Sequence, residues 1–156
     1  MPSTSRASVD GFLALKRLAV AGVSSKPADF SRAVFRKFVE CGYDAIPVNP
    51  NVTEVEGRRC FARLSDISPA PDGVLVMTAP AVSEQIVREC VDLGIRNVWL
   101  HRGGGQGAVS IAAVKICKDG DIDVVAGECP LMFQPGGGFP HNFHGWIKKL
   151  TGAYPR

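Results

Sequence analysis

Apolar positions follow two different periods along this chain. Some runs are almost continuously apolar and are bounded by turn residues, which is typical of strands buried on both faces of a sheet. Between these runs, apolar residues recur every three or four positions, the spacing of one helical face. The strand-like runs cover residues 18–23, 45–48, 73–77, 97–100 and 123–126. The pattern therefore predicts strands that alternate with helices.

The helix predicted after the first strand shows the helical spacing most clearly. Its apolar residues fall at i, i+4, i+8 and i+9 between Phe30 and Val39. Ser31 is the expected N-cap residue, and Gly42 is expected just past the C-terminal end of the helix. Two comparable helices are predicted, over residues 82–91 and 111–116.

Minor elements complete the pattern. The first ten residues are polar and are expected to be loose, and a short helix capped by Ser8 or Asp10 fits residues 9–15. Residues 58–61 fit a small edge strand, and residues 64–67 fit one helical turn.

The alternation of strands and helices predicts an α/β fold with helices on both sides of the sheet, because parallel strands need right-handed crossover connections. We expect a Rossmann-like, doubly wound, mainly parallel sheet of five to six strands, in three layers. Residues 1–14 are interpreted as an N-terminal extension and residues 15–133 as the domain. Residues 134–156 are interpreted as a glycine-rich joint and a C-terminal amphipathic helix.

Composition narrows the class of protein. The chain has 156 residues, of which 46% are hydrophobic, and a formal net charge of +3. This length suits one domain, and the charge is too small to indicate nucleic-acid binding. The five cysteines contain no C-x-x-C pair, which argues against a disulfide framework or a zinc ribbon and favours a reducing cytoplasm. We find neither a signal peptide nor a transmembrane segment in the sequence.

Candidate chemistry lies in the loops after the strands, because ligands of open α/β sheets bind beyond the carboxyl ends of the strands. The loop from Gly22 to Pro27 offers hydroxyl groups, a lysine and backbone amides ahead of a helix N-terminus, which attracts phosphate. It matches neither the dinucleotide fingerprint nor a Walker A loop. An ordinary turn with surface serines fits the loop equally well.

Two other loops are unusual. An NAD-type site needs a carboxylate after the second strand, and Asn49 stands there, followed by Pro50. The loop after the fourth main strand is glycine-rich and begins at His101. Its glycines would let a ligand approach the backbone closely, although a plain flexible loop explains it almost as well.

Metal and thiol sites are poorly supported by the sequence. His141 and His144 are three residues apart, and further ligands for a metal are missing, so we predict no metal site. Cys129 has no basic residue close in sequence, which favours a buried structural cysteine over a reactive thiol. No acid–base pair or nucleophile emerges that would make the chain an enzyme by itself.

The C-terminal segment contains a second amphipathic pattern. Its apolar residues are Phe143, Trp146, Ile147 and Leu150, flanked by two lysines. A basic amphipathic helix can lie on a membrane. Docking on the domain or on a second subunit, as in a homodimer, is the simpler interpretation.

Several of these motifs together resemble one family. The string G-Y-D-A-I-P-V-N-P over residues 42–50, with A-G-V-S-S-K-P over 21–27, L-S-D-I over 64–67 and Cys129–Pro130, looks like the stand-alone CoA-binding domains. These are similar to the N-terminal domain of the succinyl-CoA synthetase α subunit. The resemblance covers about residues 15–133.

The resemblance implies a Rossmann-like fold with CoA across the strand ends. It implies four groups of cofactor-binding residues. The loop that faces the phosphates would be formed by Gly22, Val23, Ser24, Ser25 and Lys26, and the adenine and ribose would be bordered by Asn49 and Pro50. The loop after the third main strand would be formed by Ala79 and Pro80. The pantetheine side would be lined by His101, Arg102 and Gly103.

The chain departs from the family pattern at two places. Asp29 stands where members often carry arginine, and His101 stands where they often carry glutamine. An acid at position 29 would repel phosphate unless Arg32 or Lys26 compensates for its charge.

The leading hypothesis is therefore non-catalytic binding of CoA or acyl-CoA, in a sensor, carrier or regulatory role. The first alternative is a small NAD(P)- or thiol-dependent redox enzyme that uses Cys129 or His101. The second alternative is a protein-interaction module that uses the C-terminal helix.

Overall fold

A computed structural model describes residues 4–102 and 107–133. Its helices are α1 (Arg6–Leu13), α2 (Phe30–Glu40), α3 (Pro80–Leu93) and α4 (Ile111–Asp119), with short 3-10 turns at Leu64–Asp66 and Pro130–Met132. Its strands are β1 (Arg17–Ala21), β2 (Asp44–Val48), β3 (Glu54–Val55), β4 (Arg58–Arg59), β5 (Gly73–Val76), β6 (Asn97–His101) and β7 (Asp123–Glu128).

Five strands form one parallel sheet in the order β2-β1-β5-β6-β7. The predicted α/β fold with a parallel sheet is confirmed, with five strands in the main sheet. The chain runs from β1 to the edge strand β2 and then crosses back to β5 on the other side of β1. A crevice therefore opens between β1 and β5 at their carboxyl ends, the place where such sheets bind ligands.

Side chains from the sheet alternate between two cores. Leu18 and Val20 point toward α1 and α2, whereas Ala19 and Ala21 point toward α3 and α4. All four side chains are fully or almost fully buried. Burial on both faces explains why the strands appear in the sequence as continuous apolar runs.

The N-terminal residues pack on the domain more closely than their polar sequence indicates. Helix α1 begins at Arg6 and is capped by Ser5, earlier than the predicted cap at Ser8 or Asp10. Phe12 is buried against Trp99, with 5.4 Å between ring centroids. The hydroxyl of Thr4 donates to the Ala126 carbonyl and accepts from the Ala126 amide, which covers the edge of the sheet.

The connection from β2 to β5 contains a small hairpin. Arg58–Arg59 was predicted as part of an edge strand over 58–61, but it pairs antiparallel with Glu54–Val55 in a separate two-stranded sheet. Only Phe61 bridges to Val48 of the main sheet. Glu56 and Gly57 form the hairpin turn with φ values of 50° and 74°.

The ends of the helices follow the sequence signals in part. Gly42 has a φ of 91° just past α2, as predicted, and Gly94 caps α3 with a φ of 73°. Within residues 4–102 and 107–133, no helix is long and apolar enough to cross a membrane. The predicted C-terminal helix, His141 and His144 lie outside the described residues.

Candidate functional site

The loop after β1 approaches the loop after β5 at Gly22. Its φ is 92°, and a Cβ atom at this position would lie 2.8 Å from the Met77 carbonyl oxygen and 2.9 Å from Thr78 Cγ2. Such distances are too short for any side chain, so glycine is required both by conformation and by space. The two loops therefore approach each other closely at the crevice.

Arginine side chains bind the carbonyl oxygens of the first loop. Arg32 Nη1 donates to the carbonyls of Ser24 and Ser25, at 3.2 and 3.3 Å. Arg36 Nη2 donates to the Pro27 carbonyl at 2.8 Å. The loop carbonyls are therefore turned toward α2 and away from any ligand on the opposite side.

One carboxylate oxygen holds both arginines. Glu56 Oε1 accepts from Arg32 Nη2 at 2.9 Å, from Arg32 Nε at 3.2 Å and from Arg36 Nε at 2.7 Å. Arg32 is 8% exposed, so its charge is stabilised mainly by these contacts. The Arg32 hydrogen bond is the main cause that lowers the pKa of Glu56 below its ordinary value, with a further contribution from Arg36.

The N-terminus of α2 holds the amides of the same loop. Asp29 is the N-cap residue rather than the predicted Ser31, and its carboxylate accepts from the Ser31 amide at 2.9 Å and the Ser31 hydroxyl at 2.8 Å. Ser31 Oγ in turn accepts from the Ser24 amide, and Ser24 Oγ accepts from the Lys26 amide. The bonds from Ser31 lower the pKa of Asp29.

This network decides which groups the loop can offer to a ligand. Among the described residues, the Ser25 amide, the Ser25 hydroxyl and the Lys26 ammonium find no hydrogen-bond acceptor in the protein. Lys26 is attracted electrostatically to Asp29. The free groups are donors, while the carbonyls of Ser24, Ser25 and Pro27 are occupied. A surface of this kind suits an anion at a helix N-terminus.

Asn49 ties the loop after β2 to the loop after β1. Its Nδ2 donates to the Val23 carbonyl at 2.8 Å, and its Oδ1 accepts from the Asn51 amide at 2.9 Å. The Cys60 thiol donates to the Asn49 carbonyl at 3.7 Å. Asn49 therefore acts here as a structural link between two loops at the edge of the sheet.

A groove of about 780 Å³ opens beside these loops, between the segment 62–65 and α3. From the predicted binding set it includes Gly22, Asn49 and Pro50. Much of its lining is apolar and comes from Ala21, Val48, Leu64, Val82, Ile86 and Leu93. This volume lies within the usual range for small-molecule sites.

Most of the polar residues that line the groove lie on its two walls, the segment 62–65 and α3. Arg63 belongs to the segment 62–65, whereas Gln85, Glu89 and Asp92 belong to α3. Glu89 Oε1 accepts from the Ser65 amide at 2.9 Å and so links the two walls.

The other predicted residues occupy different places around the crevice. The Val23 side chain is fully buried, so only its backbone can take part in binding. Ala79 is the N-cap of α3 and Pro80 is its first residue, and neither lines the groove, whereas Thr78 and Val82 do. His101 is buried, with its ring 5.6 Å from that of Phe30. Arg102 is exposed, and Gly103 lies outside the described residues.

Buried cysteines line the core rather than the groove. Burial raises the pKa of Cys117 to about 12, and burial together with nearby Cys117 raises the pKa of Cys90 still further. Burial also raises the pKa of Cys60. Cys129 is buried too. Among the described residues there is no group of three or more metal-ligating side chains.

The sequence does not predict the contacts by which Arg32, Arg36 and Glu56 hold the loop after β1. The sequence predicts Arg32 only as a charge that compensates for Asp29, and it predicts no role for Arg36. Glu56 lies twenty and twenty-four residues from these arginines in the sequence. The Glu56–Gly57 pair between two strand-like dipeptides was the available sign of a hairpin turn, but nothing local indicates the partner of its carboxylate.

Comparisons with known proteins agree with this architecture. The chain is 28% identical over 114 residues to the uncharacterized protein YneT of Bacillus subtilis (strain 168), covering 73% of this chain and 82% of YneT. A hypothetical protein from Pyrococcus horikoshii OT3 superposes with a TM-score of 0.73 at 26% identity. That match covers 83% of this chain and 94% of the other.

A larger protein shares the fold of this domain. The dinucleotide forming acetyl-coenzyme A synthetase 1 of Ca. Korarchaeum cryptofilum superposes with a TM-score of 0.62 at 19% identity, over 70% of this chain and 25% of the synthetase. The sequence model of the family described as CoA binding domain matches residues 16–135. The strand order and this match lead to one conclusion: the chain belongs to the CoA binding domain family.

Proposed function

We propose that this chain binds CoA or an acyl-CoA at the carboxyl edge of its sheet, with a phosphate group against Ser25 and Lys26. The observation that carries the proposal is the set of free donors in a loop whose carbonyls are bound by Arg32 and Arg36. An anion placed there meets amide, hydroxyl and ammonium groups and the positive end of α2. Membership of the CoA binding domain family supports CoA as the source of that phosphate.

The groove supplies a place for the remainder of the nucleotide. We assign the adenine and ribose to the apolar lining beside Pro50, because a flat base gains free energy when it leaves water for such a surface. Asn49 contributes by fixing the loop rather than by a hydrogen bond to the ribose. Pantetheine would extend past Ala79 and Pro80 toward His101 and Arg102.

The residues of the site fit CoA better than they fit a nicotinamide dinucleotide. Dinucleotide sites use a carboxylate after the second strand to bind the ribose. Asn49 stands at that position with both polar atoms of its amide bonded to backbone. The nearby Glu56 is held by two arginines.

We assign the chain a binding role rather than a reaction of its own. The redox alternative depends on Cys129, whose side chain is buried, or on His101 at the end of β6. The rate of Cys129 alkylation against pH tests that alternative. A fast rate at neutral pH would favour a reactive thiolate and would weaken the assignment of a binding role.

The direct test of the proposed function is isothermal titration calorimetry of the full chain with CoA, acetyl-CoA, NAD and ATP. We expect CoA and acetyl-CoA to bind, and NAD to bind at least about ten-fold more weakly, which corresponds to about 1.4 kcal/mol. Absence of heat with both CoA species at millimolar concentration would overturn the proposal. Tighter binding of NAD than of CoA would overturn the choice of ligand.

A further inference from the structure

Glu56 lies in the hairpin turn, outside the main sheet. Its carboxylate is nevertheless linked to the loop after β1 through Arg32 and Arg36. We infer that Glu56 is a positioning residue for this loop: it keeps Arg32 and Arg36 on the loop carbonyls, so that the loop presents donors to an anion. The inference rests on the proposed function, in which this loop binds a phosphate of CoA.

The hydrogen bonds form a chain from the hairpin to the loop. Glu56 Oε1 accepts three N–H groups from the two guanidinium groups. The other nitrogens of the same groups donate to the carbonyls of Ser24, Ser25 and Pro27. Because a guanidinium group is planar and rigid, fixing one edge of it on Glu56 also directs its opposite edge.

The conformation of Glu56 is a second observation. Its φ of 50° lies in the left-handed region, which glycine, asparagine and aspartate adopt more readily than glutamate. A turn built for stability alone would carry one of those residues at this position. Local backbone strain of this kind is kept where the side chain has a function, which here is the contact with Arg32 and Arg36.

The sign of the electrostatic effect separates this role from a simple charge effect. A carboxylate close to a phosphate site weakens the binding of an anion by repulsion, so its removal alone would tighten CoA binding. If Glu56 instead acts by holding the arginines on the carbonyls, its removal frees the loop and weakens binding, because the loop must then be ordered when CoA binds.

The experiment compares Glu56→Gly, Glu56→Gln and Glu54→Gln in the full chain by calorimetry with CoA. Glycine adopts a positive φ without strain, so Glu56→Gly removes the carboxylate while favouring the turn. Glu56→Gln keeps an oxygen that can accept from both arginines. Glu54→Gln removes the same charge from an exposed position of the same hairpin, and it serves as the control.

We expect Glu56→Gly to bind CoA about ten-fold more weakly than the natural chain, a loss typical of lost preorganisation. Both glutamine variants should remain within about three-fold of the natural chain, because neither disturbs the arginines. Equal or tighter binding by Glu56→Gly would overturn the inference. An equal loss in Glu54→Gln would also overturn it, since the loss would then not depend on the contact of Glu56 with the two arginines.

Amide hydrogen exchange without ligand gives an independent answer. The Ser24 amide donates to the Ser31 hydroxyl, and the Lys26 amide donates to the Ser24 hydroxyl. Both amides should exchange faster in Glu56→Gly but not in Glu54→Gln. Unchanged exchange in Glu56→Gly would overturn the inference whether or not CoA binds. If the natural chain fails to bind CoA, the proposed function fails, while the exchange rates still decide whether Glu56 holds the loop.

Discussion

Two loops at the carboxyl edge of the sheet lead into helices, but they are built differently. The loop after β1 runs from Gly22 to Asp29 and is fixed by side chains from α2 and from the β3–β4 hairpin. The loop after β5, residues 77–79, is short and leads into α3 without a side-chain cap, with Pro80 as the first helical residue.

The difference shows how each loop obtains its shape. The short loop is determined by the strand before it and by the fixed φ of Pro80. The long loop has too many backbone groups to satisfy by itself, and distant side chains satisfy them instead. As a result, the long loop offers donors for an anion, whereas the short loop and α3 provide a wall of the groove.

The largest expected effect is a loss of stability caused by a side chain at Gly22, where the two loops approach each other. Gly22→Ala combines strain at a positive φ with a clash against the Met77 carbonyl, and we expect a loss of about 3 kcal/mol in the free energy of unfolding. Urea denaturation measures it.

Gly42→Ala is the matched control for this substitution. Gly42 has nearly the same φ, 91°, and open space around it, so its replacement should cost only about 1 kcal/mol. Equal losses at the two positions would show that conformation alone, and not the close approach of the loops, makes Gly22 necessary.

A smaller effect, on CoA affinity, is expected from removing the ammonium group of Lys26 in the long loop. Lys26→Ala should weaken CoA binding about ten-fold, or about 1.4 kcal/mol, with little change in stability, if its ammonium group bonds a phosphate. Calorimetry measures the change. Lys16→Ala, which removes a charge at the opposite edge of the sheet, should leave affinity within about two-fold. A similar loss in both variants would indicate attraction by net charge and would count against a phosphate contact at Lys26.

The smallest expected effect tests the cap at the end of the long loop. Asp29→Ala should lower the free energy of unfolding by about 1 kcal/mol, because the Ser31 amide loses its acceptor, whereas Asp29→Asn should retain most of the cap. Thermal denaturation at neutral pH measures both variants. Equal stability of Asp29→Ala and the natural chain would contradict a capping role.

The pH dependence of this cap has a defined sign. The folded-state pKa of Asp29 lies below its ordinary value of 3.8, so the carboxylate contributes stability that is fully present above that value. The contribution is lost as the pH falls through the lower folded-state pKa. The stability difference between the natural chain and Asp29→Ala should therefore shrink in acid, below about pH 4.

Asp29 also shows how a single position can be interpreted differently in sequence and in structure. The family resemblance places it where members often carry arginine, and its negative charge predicts repulsion of a phosphate. In the fold its carboxylate is directed to Ser31, inside its own helix terminus. Arg32, which was expected to compensate for Asp29, is instead bound to Glu56 and to loop carbonyls.

The sequence by itself determined the elements whose signals are local. The apolar runs and helical spacings predicted the five strands of the parallel sheet, the helices α2, α3 and α4, and the glycine that follows α2. The G-Y-D-A-I-P-V-N-P string predicted the family. These features depend on neighbouring residues, so periodicity and turn residues are enough to reveal them.

Only the tertiary structure decided how the site is held together. The sheet order brings the hairpin at Glu56 beside Arg32 and Arg36, brings Asn49 to the Val23 carbonyl, and opens the groove between residues 62–65 and α3. Each of these contacts joins residues far apart in the chain. Their partners are set by topology and by the need to satisfy buried polar groups, which no local pattern encodes.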